Sequence, residues 1–220
     1  TTNIVFWTPS AEDVGSAHHF KILLDDGNGG VDYQEFDVEV VANQLPVFSS
    51  APITSAITQH LYVYSPIATD PDEEDYAFVK LGVAPAGMSI ANRRVSWKPT
   101  DDQVGDFPVE VIAYDDAGGE TVQSFIVSVK PNSAPEIISS EQTPLAVTGH
   151  RYHSPVTLSD ADGDVVYTRI VEGPEGMLVS PHGVVWTPQV DQTGTYEVVW
   201  EAYDQFGGVT RESYTLNVIE

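Results

Sequence analysis

Arg94-Val95-Ser96-Trp97-Lys98-Pro99 has two relatives in the same chain, Ile4-Val5-Phe6-Trp7-Thr8-Pro9 and Gly183-Val184-Val185-Trp186-Thr187-Pro188. The three tryptophans stand 90 and 89 residues apart. The residues after each tryptophan repeat as well. A glycine comes eight positions later (Gly15, Gly105, Gly194), an aspartate ten beyond that (Asp25, Asp115, Asp204), and a Gly-Gly pair closes the pattern (Gly29-Gly30, Gly118-Gly119, Gly207-Gly208). Self-similarity at a fixed period of this size means tandem modules, each a supersecondary unit of its own.

Two similar linkers mark where modules begin. Asn43-Gln44-Leu45-Pro46 and Asn132-Ser133-Ala134-Pro135 each place a proline 51 residues before a tryptophan. Modules are therefore expected at 43–131 and 132–220, and residues 1–42 read as the back half of a preceding module. In the last module, short strands are expected at 134–139, 150–158, 165–172, 177–180, 184–188, 195–203 and 209–218. Turn residues such as Gly173-Pro174-Glu175-Gly176 separate them. Val109-Glu110-Val111-Ile112-Ala113 and Tyr214-Thr215-Leu216-Asn217-Val218 alternate as strands with one face in a core and one in water. No stretch has a helical period. The expectation is an all-β chain of tandem immunoglobulin-like or cadherin-like seven-strand sandwiches. The repeated tryptophan, among apolar neighbours and before a proline, is expected in each core, and strand parity puts Trp200 there too.

Lys and Arg number 9 against 33 Asp and Glu, a net charge of −24 among 220 residues. Such a surface repels phosphate backbones and anionic bilayers, so nucleic-acid partners are not expected. No apolar run reaches the roughly 20 residues of a membrane helix, and direct membrane insertion is not expected. With no cysteine there is no disulfide framework, thiol nucleophile or Cys zinc site. The chain opens Thr1-Thr2-Asn3 without Met and reads as a piece of a longer, secreted one.

The carboxylates are not spread evenly. Strand direction alternates in a sandwich, so the second-to-third and sixth-to-seventh strand loops share a pole with the incoming linker. In the third module these loops are Asp160-Ala161-Asp162-Gly163-Asp164 and the turn holding Asp204, and the linker brings Asn132. In the second they are Asp70-Pro71-Asp72-Glu73-Glu74-Asp75 and Asp115-Asp116, with Asn43 and Gln44 from the linker. Two like charges about 4 Å apart repel by roughly 4 kcal/mol at an effective dielectric of 20. A hard divalent cation relieves this, and calcium accepts six to eight oxygens in flexible geometry. The Asp-x-Asp-Gly-Asp loop opens like an EF-hand, but Val171 stands where the bidentate Glu would be and no helices flank it, so that reading is rejected.

Taken together, the Asn-x-x-Pro linker, the Asp-x-Asp-Gly-Asp loop, Pro-x-Gly-Met (85–88 and 174–177), Trp-Thr-Pro and Tyr-Asp-x-x-Gly-Gly resemble bacterial cadherin-like repeats. These are the dystroglycan-type cadherin and immunoglobulin-like repeats of large secreted adhesins and polysaccharide-active proteins. The resemblance spans the whole chain. It implies calcium at module junctions, one site formed by Asn132, Asp160, Asp162, Asp164 and Asp204, the other by Asn43, Asp70, Asp72, Asp75 and Asp115. Asp116, next to Asp115 on the same turn, is a further candidate metal ligand of the second set. The second loop departs from the pattern by one extra residue and by lacking glycine. The implied role is a calcium-rigidified extender of a secreted, bacterial cell-surface adhesin.

No catalytic arrangement emerges. Six histidines show no zinc-protease spacing, and neither a Gly-x-Ser-x-Gly elbow nor a phosphate loop occurs. A non-enzyme is expected. The alternative to an extender is a module that binds carbohydrate or a cell-surface protein, for which Tyr62 and Tyr64 on one strand face are a candidate aromatic pair. The half module is expected to supply three strands (4–9, 17–24 and 31–41), which leave an apolar face open. Something is expected to cover that face: a neighbouring molecule packed against it, the same half module of a second copy in a homodimer, or a separate chain carrying the missing strands.

Overall fold

The computed structural model describes residues 4–72 and 77–220. In the half module, β1 (Ala17–Asp25) and β2 (Val31–Glu39) form an antiparallel hairpin. The second module holds β3 (Val47–Phe48), β4 (Ser55–Ile57), β5 (Tyr62–Tyr64), β6 (Ala68–Thr69), β7 (Phe78–Leu81), β8 (Ser89–Ala91), β9 (Arg94–Trp97), β10 (Gly105–Tyr114) and β11 (Glu120–Lys130). The third holds β12 (Glu136–Ser140), β13 (Leu145–Val147), β14 (Tyr152–Ser159), β15 (Tyr167–Glu172), β16 (Leu178–Ser180), β17 (Gly183–Trp186), β18 (Gly194–Tyr203) and β19 (Val209–Ile219). Among the described residues, no helix is long and apolar enough to cross a membrane.

In the third module one sheet runs β12-β14-β17-β16 and the other β13-β19-β18-β15. The second module repeats the latter as β4-β11-β10-β7. This is an immunoglobulin-like β-sandwich. Its first strand is shared between sheets: β12 pairs antiparallel with β14, and after a break at Glu141–Pro144 β13 pairs parallel with β19. Sequence reading missed that switch, because three residues after a proline carry no periodicity.

Alternation fills both cores. Val109, Val111 and Ala113 of β10 and Val198, Trp200 and Ala202 of β18 are fully buried. Trp97 and Trp186 anchor the two clusters and donate Nε1–H to the carbonyls of Ala86 and Glu175, both at 3.1 Å. Burying the indole therefore leaves no unpaired donor.

Residues 4–9 form no strand, contrary to the expectation of three strands in the half module. Their counterparts β9 and β17 hydrogen-bond only to strands from the front half of a module: β5 and β8, or β14 and β16. Among the described residues, no strand pairs with residues 4–9. Phe6 is 86% exposed and Trp7 39%, whereas Trp97 is 1% exposed. Tyr62 and Tyr64 are buried and hydrogen-bonded, Tyr62 to the Ile53 carbonyl and Tyr64 to Gln123, so they offer no binding platform.

Candidate metal centres at the module poles

Each sixth-to-seventh strand turn wraps its own aspartate. In the third module, the amides of Phe206 and Gly208 donate to Asp204 Oδ1 at 2.6 and 2.9 Å. The Asp204 amide donates back to the Gly208 carbonyl at 3.1 Å. Asp115 and Gly119 make the same pair of bonds at 2.7 and 3.1 Å. In the half module Asp26 and Gly30 make them, at 2.9 and 3.1 Å. The aspartate equivalent to Asp115 is thus Asp26, one residue after the Asp25 that tryptophan spacing selects, because the stretch between Trp7 and this turn is longer by one residue.

The linker closes over that aspartate. Asn132 Nδ2 donates to Asp204 Oδ2 at 3.0 Å, and the Ser133 amide donates to Asp162 Oδ2 at 2.6 Å. Within the loop, Asp160 Oδ1 accepts from the amides of Asp162 and Asp164 at 2.9 and 3.3 Å, a turn that Gly163 permits at φ 81°. These bonds bring one oxygen from each of Asp160, Asp164 and Asp204 within 4.8 Å of one another. Asp162 is engaged with the linker instead. Asp204 is buried, which by itself raises its pKa. The Asn132 amide and the backbone amides of the turn outweigh this and hold it below the ordinary carboxylate range.

Two acceptors at this pole are buried with no hydrogen-bond partner, Asp160 Oδ2 and Asn132 Oδ1. Buried polar atoms in proteins are almost always paired. Here the unpaired atoms are electron-pair donors beside three mutually close carboxylates. A bound cation would satisfy such a set. The all-oxygen, carboxylate-rich donors fit a hard divalent ion such as calcium.

The second module's pole is wired in the same way. Asn43 Nδ2 donates to Asp115 Oδ2 at 3.0 Å, the Gln44 amide to Asp72 Oδ2 at 2.8 Å, and the Asp72 amide to Asp70 Oδ1 at 2.9 Å. Asp70 Oδ2 is buried and unpaired, as its counterpart Asp160 Oδ2 is. The Asn43 side chain, then the turn amides, depress the Asp115 pKa. Asp116 is exposed on the turn, and Asp75 lies outside the described residues. Among the described residues, three carboxylates come within mutual reach at the third-module pole alone.

Sequence reasoning missed the residues that reach this pole from the second module. His60 Nε2 lies 2.9 and 3.0 Å from the two oxygens of Asp164, and its ring stacks on Phe206 at 3.7 Å between centroids. His60 Nδ1 lies 2.9 Å from the Thr58 carbonyl, so both ring nitrogens face groups that only accept, an arrangement that favours the protonated ring. Burial pulls the His60 pKa down, but the Thr58 carbonyl and the Asp164 carboxylate together raise it. The available signal was the recurrence of Thr58-Gln59-His60 as Thr148-Gly149-His150.

Residues 44–130 match the family model described as "Putative Ig domain". No curated protein matches the chain. Among solved structures, the chain is similar to immunoglobulin domains 1–5 of Sidekick-1, at 14% identity and TM-score 0.56 over 96% of this chain and 46% of that one. An endo-fucoidan hydrolase of glycoside hydrolase family 107 matches at 18% identity and TM-score 0.36, over 93% of this chain and 34% of that one. The EC1-2 fragment of human mucin-like protocadherin matches at 14% identity and TM-score 0.35, over 80% of this chain and 98% of that one. The chain spans between a third and a half of the first two. The Sidekick-1 likeness is one of fold.

Proposed function

We propose that these modules are non-catalytic, calcium-stabilised extender repeats of a secreted bacterial adhesin. The observation that supports this best is the third-module pole, where three carboxylates and two unpaired buried oxygens converge from a linker, a loop and a turn. Asn132, Asp160, Asp164 and Asp204 would hold the ion, with Asp162 fixing the linker. Asn43, Asp70, Asp72 and Asp115 would serve the second module. An ion bound there ties the linker to the module body and removes the repulsion among carboxylates, which suits a chain that must bear extension outside the cell. Extracellular modules bind calcium with dissociation constants of about 0.1–1 mM. Free calcium ten- to a hundredfold above that constant stabilises by about 1.4–2.7 kcal/mol per site. Calorimetric titration with calcium and with magnesium, alongside melting in EDTA, tests the proposal. Calcium binding with a raised melting temperature is expected. No heat of binding and an unchanged melting curve would reject it.

A second reading, a carbohydrate- or protein-binding module, finds its support on another surface than the buried Tyr62 and Tyr64. Phe78 stacks on Tyr114 at 5.4 Å, and Tyr167 on Tyr203 at 5.6 Å, with Lys80 and Arg169 over the second ring of each pair. Phe78 and Tyr167 are 40% and 44% exposed. A glycan array decides between the readings, because a hit lost on Tyr167→Ala favours the binder.

A further inference from the structure

We propose that the Thr58–His60 turn is a latch that fixes the orientation of the second and third modules without any metal. Its scaffold belongs to the second module. The amides of Thr58, Gln59 and His60 donate to the carbonyls of Lys130, Pro99 and Ile57 at 2.9, 2.7 and 3.2 Å. Gln59 takes φ 64°, a left-handed conformation that a side chain rarely adopts. Backbone held in such a region is over-determined by its surroundings and clusters where function needs a fixed presentation.

The third module repeats the scaffold. The amides of Thr148, Gly149 and His150 donate to Ile219, Pro188 and Val147 at 2.9, 2.8 and 3.1 Å, and His150 Nδ1 lies 3.2 Å from the Thr148 carbonyl. The turn is therefore built into each module and does not form in response to a neighbour. What differs is the head group's surroundings. The side chain of His60 is 21% exposed, capped by Asp164 and Phe206, whereas His150 is exposed.

The receiving face is equally specific. Of the three Gly-Gly turns, only Asp204-Gln205-Phe206-Gly207-Gly208 carries an aromatic residue; Ala117 and Asn28 stand in its place in the others. Thr58 adds a contact to the linker: its buried Oγ1 accepts from the Asn132 amide at 3.0 Å. Linker, loop and turn of the third module are thus each gripped by residues 58–60. The grip leaves Asp164 able to serve an ion, because a carboxylate offers about four lone-pair directions. At this junction calcium adds stability to an orientation already set. The latch does not rest on calcium binding.

The test uses the whole chain, which has no cysteine, with spin labels at Val104→Cys and Glu197→Cys and distances read by pulsed electron resonance in EDTA. The expected result is one narrow distance for the otherwise unchanged chain and for His150→Ala, and loss of that narrow distance for His60→Ala. Phe206→Ala approaches the latch from the other module and is expected to cause the same loss. Circular dichroism confirms that each variant keeps its fold. A broad distribution in EDTA without any latch substitution, or a narrow one retained in both His60→Ala and Phe206→Ala, overturns the latch. Failure of calcium to bind would overturn the metal proposal and leave this result standing.

Discussion

Gly208 lies directly over the carboxylate of Asp204. A Cβ at position 208 would collide with Asp204 Oδ2 and stand 2.6 Å from the Ala134 Cα. Gly119 is confined likewise by Asp115, with Leu45 and Asn43 at 2.9 and 3.0 Å. The second glycine of each pair is required because the aspartate sits beneath the turn with the linker across it, whereas the first, Gly118 or Gly207, takes a positive φ of 94° or 106°. Gly208→Ala is expected to destabilise the third module by about 1–3 kcal/mol, the usual cost of overpacking. It should also weaken calcium binding by displacing Asp204. Urea denaturation of the variant with and without calcium checks both, and an unchanged midpoint would refute the packing argument.

Asp160→Asn separates charge from hydrogen bonding. The amide oxygen can still accept from the backbone of residues 162 and 164, so the loop keeps its turn. One of three mutually close negative charges is gone. Without metal, the variant is expected to melt at the same temperature as the parent or higher. With calcium, the increment of about 1.4–2.7 kcal/mol at this site should disappear. Differential scanning calorimetry in EDTA and in millimolar calcium measures the two arms. A variant that melts lower in EDTA would mean that repulsion at the pole is negligible.

Glu201 is fully buried in β18, yet its carboxylate is clamped by Arg211 Nε on one oxygen and by Arg169 on the other, Nε at 2.6 Å. Cross-strand register puts all three in line, Arg169 and Arg211 each opposite Glu201. Arg211 first, then Arg169, hold the Glu201 pKa below the ordinary glutamate value. A depressed folded-state pKa contributes stability above the unfolded-state pKa and loses it as pH falls through the folded one. Glu201→Gln is therefore expected to be less stable than the parent at pH 7. The gap should close on acidification below the ordinary glutamate range. Denaturation midpoints over a pH series check this, and a gap independent of pH would assign the loss to packing.

The sandwich was readable because tryptophan spacing, strand alternation and turn glycines all recur with one period. The pole was readable because strand alternation fixes which loops share an end, and the Asn132–Asp204 and Ser133–Asp162 bonds follow that geometry. Three things were not readable. The sheet switch at β13 is too short to show a period. The strand expected at residues 4–9 depends on pairing with strands distant in sequence, as β9 and β17 do, and local sequence does not report whether that pairing is made. His60 lies over one hundred residues from Asp164, and a histidine in a turn has no local pattern that announces a contact with another module.

One recurring residue type should have two very different energetic weights here. Trp97 and Trp186 are 1% and 5% exposed, each held by a hydrogen bond to a carbonyl and packed edge-on against an aromatic, Phe107 or Tyr196. Truncating either to alanine removes a large buried surface and opens a cavity that strands cannot collapse, a loss of about 3–5 kcal/mol. Trp7 rests beside His18 and Phe20 at 4.8 and 5.2 Å but is 39% exposed and belongs to no strand. Trp7→Ala should cost about 1 kcal/mol or less, within reach of a surface substitution. Tryptophan fluorescence and calorimetric unfolding of the three single variants measure the contrast. Because the second and third modules have separate cores, Trp97→Ala should lower one transition and Trp186→Ala another. A loss at Trp7 as large as at Trp97 would show that the half module is packed against a partner in solution.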